Sequence, residues 1–292
     1  MKLYSVIQLL RIHQWLKNLF LFLPLYFDRK LCNIEIFYST IIAFTAFSFI
    51  SSAIYCFNDI IDVELDKVHI TKKNRPIANG TITIKQGYYV IVICVLLSFI
   101  FALFTSNKII LLTILILYLI LNISYCLKLK NYSIIDVFII SIGFVLRILA
   151  GASVGYIYIS HWIIIMTFLL ALFLALAKRR DDVILYLEKN RKIRNNVCQY
   201  NLDFLNQSLG LIGGIIIVAY IMYTVSAEVI ERIGNSYLYT TSIFVLAGIF
   251  RYLQITFVDI RSGSPTKILI NDRFIQFCII GWLVVFTWIL YL

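Results

Sequence analysis

The chain has 292 residues, of which 61% are hydrophobic and 14% are charged, and its formal net charge at pH 7 is +11. Soluble domains are about 45–50% apolar and about 25% charged, so this composition excludes an ordinary soluble globular protein. Apolar runs of roughly 17–25 residues, long enough to cross a bilayer as helices, recur along the whole chain. The sequence therefore predicts an all-α, polytopic membrane protein with a single domain over residues 1–292.

Nine apolar segments predict nine transmembrane helices. The first segment is the weakest, because Pro24 interrupts it and charged residues flank both ends. In chain order, the predicted spans are 13–28, 36–57, 87–105, 108–127, 134–156, 161–178, 209–229, 236–254 and 274–292.

Lysine and arginine are unevenly distributed between the two sides of these spans. With the N-terminus inside, 21 of the 26 Lys and Arg residues fall on the inner side, four fall on the outer side, and Arg147 lies within a span. Because cytoplasmic loops carry the excess of basic residues, we predict a cytoplasmic N-terminus, an external C-terminus and the cell inner (plasma) membrane as the location. The same bias accounts for much of the net charge, so no nucleic acid partner is indicated.

An acidic cluster follows the second predicted span. Asp59, Asp62 and Asp66 are three and four residues apart, which places all three carboxylates on one face of a continuing helix. Carboxylates in this arrangement repel each other unless a cation lies among them, and hard oxygen ligands suit Mg²⁺. The three aspartates are therefore the candidate metal ligands and catalytic residues, at the cytoplasmic face. A solvated helix end is the alternative interpretation.

Basic residues follow these acids within the same loop. Lys72, Lys73 and Arg75 precede a turn marked by Pro76 and Gly80. Carboxylate-bound Mg²⁺ with Lys and Arg opposite is an arrangement that holds a diphosphate and stabilises it as a leaving group.

The motif N-D-x-x-D-x-x-x-D at residues 58–66 resembles that of the UbiA-type intramembrane prenyltransferases, and the resemblance extends over essentially the whole chain. It implies a nine-helix bundle in which Asp59, Asp62 and Asp66 carry a Mg²⁺-bound diphosphate, with Asn58 as a polar neighbour.

A narrower resemblance is to the polyprenyl-phosphate phosphoribosyltransferase branch of that superfamily, and it implies that Lys17 and Asn18 contact phosphate and ribose. The stretches that carry this resemblance are R-I-H-Q-W-L-K-N at 11–18, H-I-T-K-K-N-R-P-I-A-N-G at 69–80, G-F-V-L-R-I-L-A-G-A at 143–152 and A-L-F-L-A-L-A-K-R-R at 171–180, with weaker support from I-L-I-N-D-R-F-I-Q at 268–276. In the stretch at 69–80, Ile70 replaces a proline expected after the histidine.

A second cluster distinguishes this branch from ordinary prenyltransferases, whose sixth helix ends in a second acidic motif, D-x-x-x-D. The matching stretch here is Lys178-Arg179-Arg180-Asp181-Asp182. Lysine at the first acidic position removes a metal ligand, and the two arginines add donors that suit phosphate. The alternative is that these residues are a basic membrane anchor, and both interpretations can hold together.

The fifth predicted span carries Asp136, Gly143 and Arg147 on one stripe. Ionisable groups inside a span are costly and usually face a cavity or a partner. We expect Asp136 to pair with Lys128 or Lys130. For Arg147, substrate binding and an interhelical ion pair are both open.

We predict that the protein transfers 5-phosphoribose from phosphoribosyl diphosphate to a polyprenyl phosphate in the bilayer, with Mg²⁺ as cofactor. The rivals are a prenyltransferase that uses an aromatic or other small acceptor, and a transporter, which would carry charges near the bilayer midplane. The oligomeric state is left open, a homo-oligomer included. The candidate substrate-binding residues are Lys17, Asn18, Asn58, Lys73, Arg75, Lys128, Arg147, Lys178, Arg179, Arg180 and Asp182.

Overall fold

The computed structural model describes residues 3–68, 72–189, 196–259, 268 and 271–291, and within them the chain is helical, without strands. The predicted all-α class is confirmed. Parts of two stretches that carry the resemblance lie outside the described residues, namely 69–71 and 269–270. The α-helices are α1 (Leu3–Leu10), α2 (Leu23–Phe27), α3 (Ile34–Ile61), α4 (Val63–Lys67), α5 (Ile84–Leu103), α6 (Lys108–Leu127), α7 (Ile135–Val154), α8 (His161–Lys189), α9 (Leu202–Val225), α10 (Ala227–Ile233), α11 (Ser242–Phe257) and α12 (Arg273–Tyr291).

Eight helical segments of the described chain are long and apolar enough to cross a membrane. They correspond to the second through ninth predicted spans: α3, α5, α6, α7, α8, α9, α12, and α11 together with the preceding 3₁₀ helix Ser236–Thr241. The largest difference from prediction is in α8, which has 29 residues and continues through the whole second cluster. The predicted span ended at Lys178, because hydropathy alone does not show how charged side chains are paired.

The first predicted span, 13–28, has a different structure from the others. It consists of the 3₁₀ helix Ile12–Phe22 followed by the short helix α2, whose first turn contains Pro24. A 3₁₀ helix rises about 2.0 Å per residue and an α-helix about 1.5 Å, so these 16 residues extend about 30 Å. That length matches a hydrocarbon core of about 30 Å, and a membrane crossing by this first segment stays a prediction.

Polar side chains mark where three of the long helices begin. The Asn33 side chain accepts a hydrogen bond from the Ile36 amide at the start of α3. Thr83 and Gln86 form a reciprocal capping box at the start of α5. Asn201 caps α9 in the same way as Asn33 caps α3. Each cap satisfies backbone N–H groups that have no partner within the helix, so these starts are encoded locally.

The chain divides into two compact units. The first unit comprises residues Met1–Lys130 and Ile142–Ile159, and the second comprises Asn131–Ser141 and Ser160–Leu292. Helix α7 therefore contributes its first residues to the second unit and the remainder to the first. The single domain predicted over 1–292 stays a prediction.

In the first unit, α3 packs along α5 and also contacts α6 and the 3₁₀ helix Ile12–Phe22. Its core contains Ala43, Phe47 and Leu115, all fully buried. Gly151 of α7 is packed so closely that a Cβ there would lie 1.9 Å from the Leu21 carbonyl oxygen. Only glycine allows this approach, which brings α7 against the 3₁₀ helix.

In the second unit, α9 packs against α8 and α11, and α11 packs against α12. Phe173, Leu205 and Leu209 are at the centre of its core and are almost completely buried. The charged residues of α8 lie within the C-terminal half of that helix, so the same packing that buries the apolar residues also fixes their positions.

Candidate active site

The acidic cluster lies in the first unit, where α3 ends and α4 begins. Helix α3 ends at Ile61, and Asp62 leaves the helical conformation with φ −92° and ψ 9° before α4 starts at Val63. The expectation of one continuing helix is wrong, because the chain bends at Asp62. Asp59 and Asp66 are each 2% exposed, whereas Asp62 is half-buried. The bend separates the three aspartates into a buried pair and a more exposed third residue.

Arg75 joins the buried pair. Its Nη1 atom donates to Asp59 Oδ1 at 3.0 Å and to Asp66 Oδ2 at 2.5 Å, so one nitrogen bridges two carboxylates. Arg11 also forms an ion pair with Asp59. Asp62 instead pairs with Lys130, at 2.5 Å. The three aspartates thus have three basic partners, all of which belong to the first unit.

These residues fit a Mg²⁺ ion whose coordination shell is completed by a substrate. Among the described residues, no group of three or more His, Cys, Asp or Glu side chains is arranged to hold a metal. However, Asp59 and Asp66 direct one oxygen each at the same cationic nitrogen. Mg²⁺ in phosphate-handling sites is usually held by one or two carboxylates, and substrate phosphates and water supply the remaining ligands. The buried pair could provide the protein's share of such a site.

The other loop candidates of the first unit are more exposed. Lys17, Lys73 and Lys128 have exposed side chains, and Asn58 is half-buried. The Asn58 carbonyl accepts the Asp62 amide at 3.0 Å, which closes the last turn of α3. Asn58 and Lys73 are near the acidic cluster in sequence, whereas Lys17 and Lys128 are far from it, and none of these four described side chains has a defined contact to its carboxylates.

Arg147 occupies a buried polar pocket within the first unit. It is 4% exposed; its Nε donates to Asn18 Oδ1 at 2.8 Å, and its two terminal nitrogens donate to the Gly143 carbonyl at 2.7 Å and the Tyr118 hydroxyl at 3.0 Å. Asn18 in turn donates to Ser48. No carboxylate in the described part of the chain pairs with Arg147, so the interhelical ion pair is not seen there. Its guanidinium lies 5.1–5.2 Å from the ring centres of Phe47, Tyr118 and Phe144.

The second cluster lies on α8 in the second unit, and its most buried member is Arg179. Arg179 is 1% exposed, and its Nε donates to Asp136 Oδ2 at 2.5 Å. Its Nη1 donates to Asp182 Oδ2 at 3.1 Å. The expected pairing of Asp136 with Lys128 or Lys130 is wrong. Those lysines are closer in sequence, but α8 brings Arg179 against the start of α7.

Tyr200 completes the surroundings of Asp136. Its hydroxyl donates to Asp136 Oδ1 at 2.7 Å and accepts the Ile134 amide at 2.6 Å. Gln199 accepts the Ser133 amide at 2.9 Å. Burial raises the pKa of Tyr200, and its hydrogen bond to Asp136 acts in the same direction, so the phenol stays a donor at neutral pH.

Arg180 has different surroundings from Arg179. It is 6% exposed; its Nε donates to Asn206 Oδ1 at 2.7 Å, and its guanidinium lies 5.3 Å from the Phe257 ring centre. Its Nη1 atom is buried and has no hydrogen-bond partner among the described residues. Lys178 is exposed on the same helix, and Asp182 is buried.

Sequence reasoning missed several residues that organise both clusters. Arg11 and Lys130 each pair with a candidate aspartate, and Tyr200 binds Asp136, although Arg11 and Tyr200 were not candidates and Lys130 was expected to pair with Asp136. The sequence contained one signal for Arg11, its place in the stretch at 11–18. In the structure, Arg11 adopts a left-handed conformation with φ 51° where α1 meets the 3₁₀ helix, and this conformation is uncommon outside glycine.

The helical fold and the two charged clusters define a polytopic membrane protein with buried ionic sites suited to phosphate chemistry. Residues 33–258 match the UbiA prenyltransferase family, so the chain belongs to this family of membrane enzymes. The resemblance deduced from the acidic motif is confirmed.

The chain is similar along most of its length to decaprenyl-phosphate phosphoribosyltransferases. It is 28% identical over 281 residues to that of Corynebacterium glutamicum, covering 95% of this chain and 84% of the relative. It is 29% identical over 294 residues to that of Mycolicibacterium smegmatis, covering 96% and 90%. A UbiA homologue from Archaeoglobus fulgidus, solved with GPP and Mg²⁺, aligns with a TM-score of 0.73 at 19% identity, covering 96% of this chain and 99% of that one. This structural likeness confirms the fold.

Proposed function

We propose that the protein transfers 5-phosphoribose from phosphoribosyl diphosphate to a polyprenyl phosphate, of the decaprenyl or undecaprenyl type, and releases pyrophosphate. The product would be a lipid-linked pentose precursor of envelope glycan. The observation that carries the proposal is the second cluster, where buried Arg179 and Arg180 follow Lys178 at the place of an acidic motif. The similarity to decaprenyl-phosphate phosphoribosyltransferases supports it.

The number of phosphate groups favours this reaction. A prenyl diphosphate carries one diphosphate on a hydrocarbon, whereas phosphoribosyl diphosphate and polyprenyl phosphate together carry a diphosphate, a 5-phosphate and a lipid phosphate. The acidic cluster with Arg75 suffices for one metal-bound diphosphate. Arg180 has a buried nitrogen without a hydrogen-bond partner among the described residues, and a prenyl diphosphate has no additional phosphate group to bind there.

The chemistry requires positioning and charge stabilisation. Asp59 and Asp66 would hold Mg²⁺, which neutralises the negative charge of the departing pyrophosphate when bound. Arg11 and Arg75, beside the same carboxylates, would donate to its oxygens. The bond from C1 of the ribose to the diphosphate oxygen breaks, and a bond from C1 to the acceptor phosphate oxygen forms. Because the acceptor oxygen is already anionic, no general base has to remove a proton.

The direct test uses purified protein, Mg²⁺, ribose-labelled phosphoribosyl diphosphate and polyprenyl phosphate, followed by lipid extraction. Label should enter the lipid fraction and depend on both Mg²⁺ and polyprenyl phosphate. The matched control is the Asp59→Asn protein, which should leave the label in the aqueous phase. Absence of lipid label with folded wild-type protein would refute the proposed reaction.

Prenyl transfer to an aromatic or other small acceptor is the second candidate. The observation in its favour is the fold, which is shared with a UbiA homologue solved with GPP and Mg²⁺. The cationic second cluster argues against it, since that cluster has lost the first acidic position of D-x-x-x-D. Incubation with a labelled polyprenyl diphosphate and 4-hydroxybenzoate tests this candidate separately.

The proposal also includes an orientation, with the N-terminus and both clusters cytoplasmic and the C-terminus external. Two exposed native cysteines allow a test without introducing new cysteines, because Cys32 lies in a predicted outer loop and Cys198 in a predicted inner loop. The other four cysteines are buried. A membrane-impermeant maleimide should label Cys32 in intact cells and Cys198 only after permeabilisation, with Cys32→Ser and Cys198→Ser proteins identifying each signal. The reverse pattern would overturn the orientation.

A further inference from the structure

We propose that the adjacent arginines of α8 have different roles: Arg180 contacts a phosphate group of the substrate, and Arg179 is a positioning residue that holds Arg180 in place through Asp136. The inference rests on the proposed function, because it assumes a phosphate-bearing ligand. It deepens that function by assigning the contact to one of two neighbouring residues with the same side chain.

Arg179 is committed to contacts within the protein. It is 1% exposed and bonded to Asp136, which is fully buried, and to Asp182. The second oxygen of Asp136 is bonded to Tyr200, whose hydroxyl also holds the Ile134 amide. A guanidinium engaged in this way cannot turn to a ligand without leaving a buried carboxylate unpaired, which is costly. Arg179 therefore ties α8 to the start of α7 and to the segment that contains Tyr200.

Both arginines have one buried nitrogen without a hydrogen-bond partner among the described residues, Nη2 of Arg179 and Nη1 of Arg180, but only Arg180 forms no ion pair with a described carboxylate. One nitrogen of Arg180 donates to Asn206, and the guanidinium plane lies over Phe257, so the side chain is held at a fixed place. Nη1 is buried without a hydrogen-bond partner among the described residues, and the adjacent Asp181 carboxylate acts on Arg180 electrostatically without forming an ion pair with it. Buried polar groups are normally satisfied, and an exception needs an explanation. A hydrogen bond from this nitrogen to a substrate oxygen would be such an explanation.

The ligand class follows from the geometry of arginine. A guanidinium presents parallel N–H donors at the spacing of two oxygens on one phosphate, and its charge is permanent. Asn206 engages Nε and the Phe257 ring lies against the guanidinium, so Nη1 is the donor without a partner among the described residues. The structure thus assigns Arg180 to a phosphate monoester or diphosphate oxygen of the substrate.

Substitution of each arginine by glutamine should give opposite patterns. Arg180→Gln keeps a donor for Asn206 and removes the charge and the unused N–H groups. Its thermal unfolding midpoint should not fall, while its Kd for phosphoribosyl diphosphate should rise about 10- to 150-fold, the equivalent of one lost charge-assisted hydrogen bond. Arg179→Gln breaks a buried ion pair, so its midpoint should fall by about 6 °C or more. Lys85→Gln removes the same charge from an exposed site and is the matched control.

A second pair of variants separates positioning from plain stability. Asp136→Asn loosens Arg179 without altering Arg180 and should raise KM for phosphoribosyl diphosphate several-fold with little change in kcat, when assayed well below its unfolding midpoint. Asp272→Ala removes an ion pair with Arg251 and a helix cap elsewhere in the second unit, and should destabilise the protein without moving KM. Arg179→Lys, which can still pair with Asp136, should partly restore both KM and the unfolding midpoint.

Three outcomes would overturn the assignment. One is an unchanged Kd for Arg180→Gln, another is a weakened Kd for Arg179→Gln with a wild-type midpoint, and the third is an equal rise in KM for Asp136→Asn and Asp272→Ala. Inorganic pyrophosphate with Mg²⁺ is the second probe. If the wild-type protein binds pyrophosphate through Arg180 and ignores phosphoribosyl diphosphate, the proposed function fails and the Arg180 contact stands. If it binds neither probe, the Arg180 contact is wrong.

Discussion

The two charged clusters are built in opposite ways. In the first unit the carboxylates Asp59 and Asp66 are buried, and Arg11 and Arg75, the basic groups paired with them, are 18% and 22% exposed. In the second unit it is the arginines that are buried: Arg179 pairs with an equally buried aspartate, and Arg180 retains an unused donor. One unit fixes negative charge, and the other fixes positive charge.

This difference indicates which counter-ion each cluster can exchange. A basic side chain that reaches solvent is hydrated when it leaves its partner, so the main cost is the buried carboxylate left behind, and an incoming metal ion can offset that cost; a fully buried arginine has no access to water. The first cluster can therefore exchange its arginine for a metal ion that carries a diphosphate. The second cluster keeps its cations and can accept an anion.

The largest expected effect comes from neutralising the buried acid that two arginines share. Asp59→Asn should abolish turnover at saturating Mg²⁺, because it removes a carboxylate that the substrate-bound metal needs. Asp62→Asn should lose less, about 10- to 100-fold, because Asp62 pairs with Lys130 away from the bridging nitrogen. Steady-state rates over a Mg²⁺ titration, with thermal unfolding as the folding control, measure both. Near-normal turnover by Asp59→Asn would refute the metal assignment.

The next effect concerns Arg75, which bridges Asp59 and Asp66. Arg75→Gln should lower the free energy of unfolding by about 3 kcal/mol, since it removes the ion-pair partner of buried Asp66 and leaves buried Asp59 with Arg11. Mg²⁺ should restore more stability to this variant than it adds to the wild type, because the Arg75 guanidinium no longer competes for the two carboxylates. Thermal unfolding with and without Mg²⁺ measures this, and Lys73→Gln, an exposed neighbour, is the control. Equal Mg²⁺ effects in both proteins would contradict an exchangeable arginine.

A smaller effect is expected at Tyr200, which holds the Asp136 carboxylate of the second unit. Tyr200→Phe should lower the free energy of unfolding by about 1–3 kcal/mol, because Asp136 and the Ile134 amide each lose a buried partner. Tyr239→Phe, at an exposed site, is the control.

Tyr200 also gives a pH dependence. Burial raises its pKa, so the unfolded chain ionises first, and this contribution to stability should be lost as pH rises above about 10. The alkaline loss should be smaller in Tyr200→Phe than in the wild type. An identical alkaline profile for both proteins would show that Tyr200 is not held neutral by its surroundings.

The smallest effect concerns Asp272, an ion pair of the second unit apart from the cluster. The Arg251 guanidinium holds the pKa of Asp272 below its usual range, so this contribution is present at neutral pH and is lost as pH falls through the lowered pKa. Asp272→Asn should cost about 1 kcal/mol or less, and it keeps the cap that the side chain gives to the Ile275 amide. Asp272→Ala loses both, so thermal unfolding of the two variants separates ion pair from cap. Equal losses would mean that the cap contributes nothing.

Most of the helices could be predicted from sequence because the bilayer imposes a length and a hydropathy on each span. The prediction at 108–127 coincides with α6, and seven others overlap their helices. The bend at Asp62 and the continuation of α8 beyond Lys178 were missed. Both depend on how charged side chains are paired, which a hydropathy pattern does not contain.

The pairing within the site was the least predictable feature. Asp136 was assigned a partner by closeness in sequence, but its partner, Arg179, is 43 residues away. Likewise, Lys178, Arg179 and Arg180 are chemically similar in the sequence, and only helix packing shows that the first is exposed and the other two are buried. Residue types and spacing indicated that the clusters bind charge. Only the three-dimensional contacts show which of these residues are paired within the protein.

The central claim is that fixed positive charge in the second unit selects a phosphorylated sugar donor, and donor choice tests it most directly. Purified protein with Mg²⁺ would receive, in parallel, phosphoribosyl diphosphate labelled in its 5-phosphate with polyprenyl phosphate, and a labelled polyprenyl diphosphate with 4-hydroxybenzoate. The account predicts that the 5-phosphate label enters the lipid with release of one pyrophosphate per transfer, while the aromatic acid stays unmodified. Prenylated 4-hydroxybenzoate, together with no lipid label from phosphoribosyl diphosphate, would contradict the account.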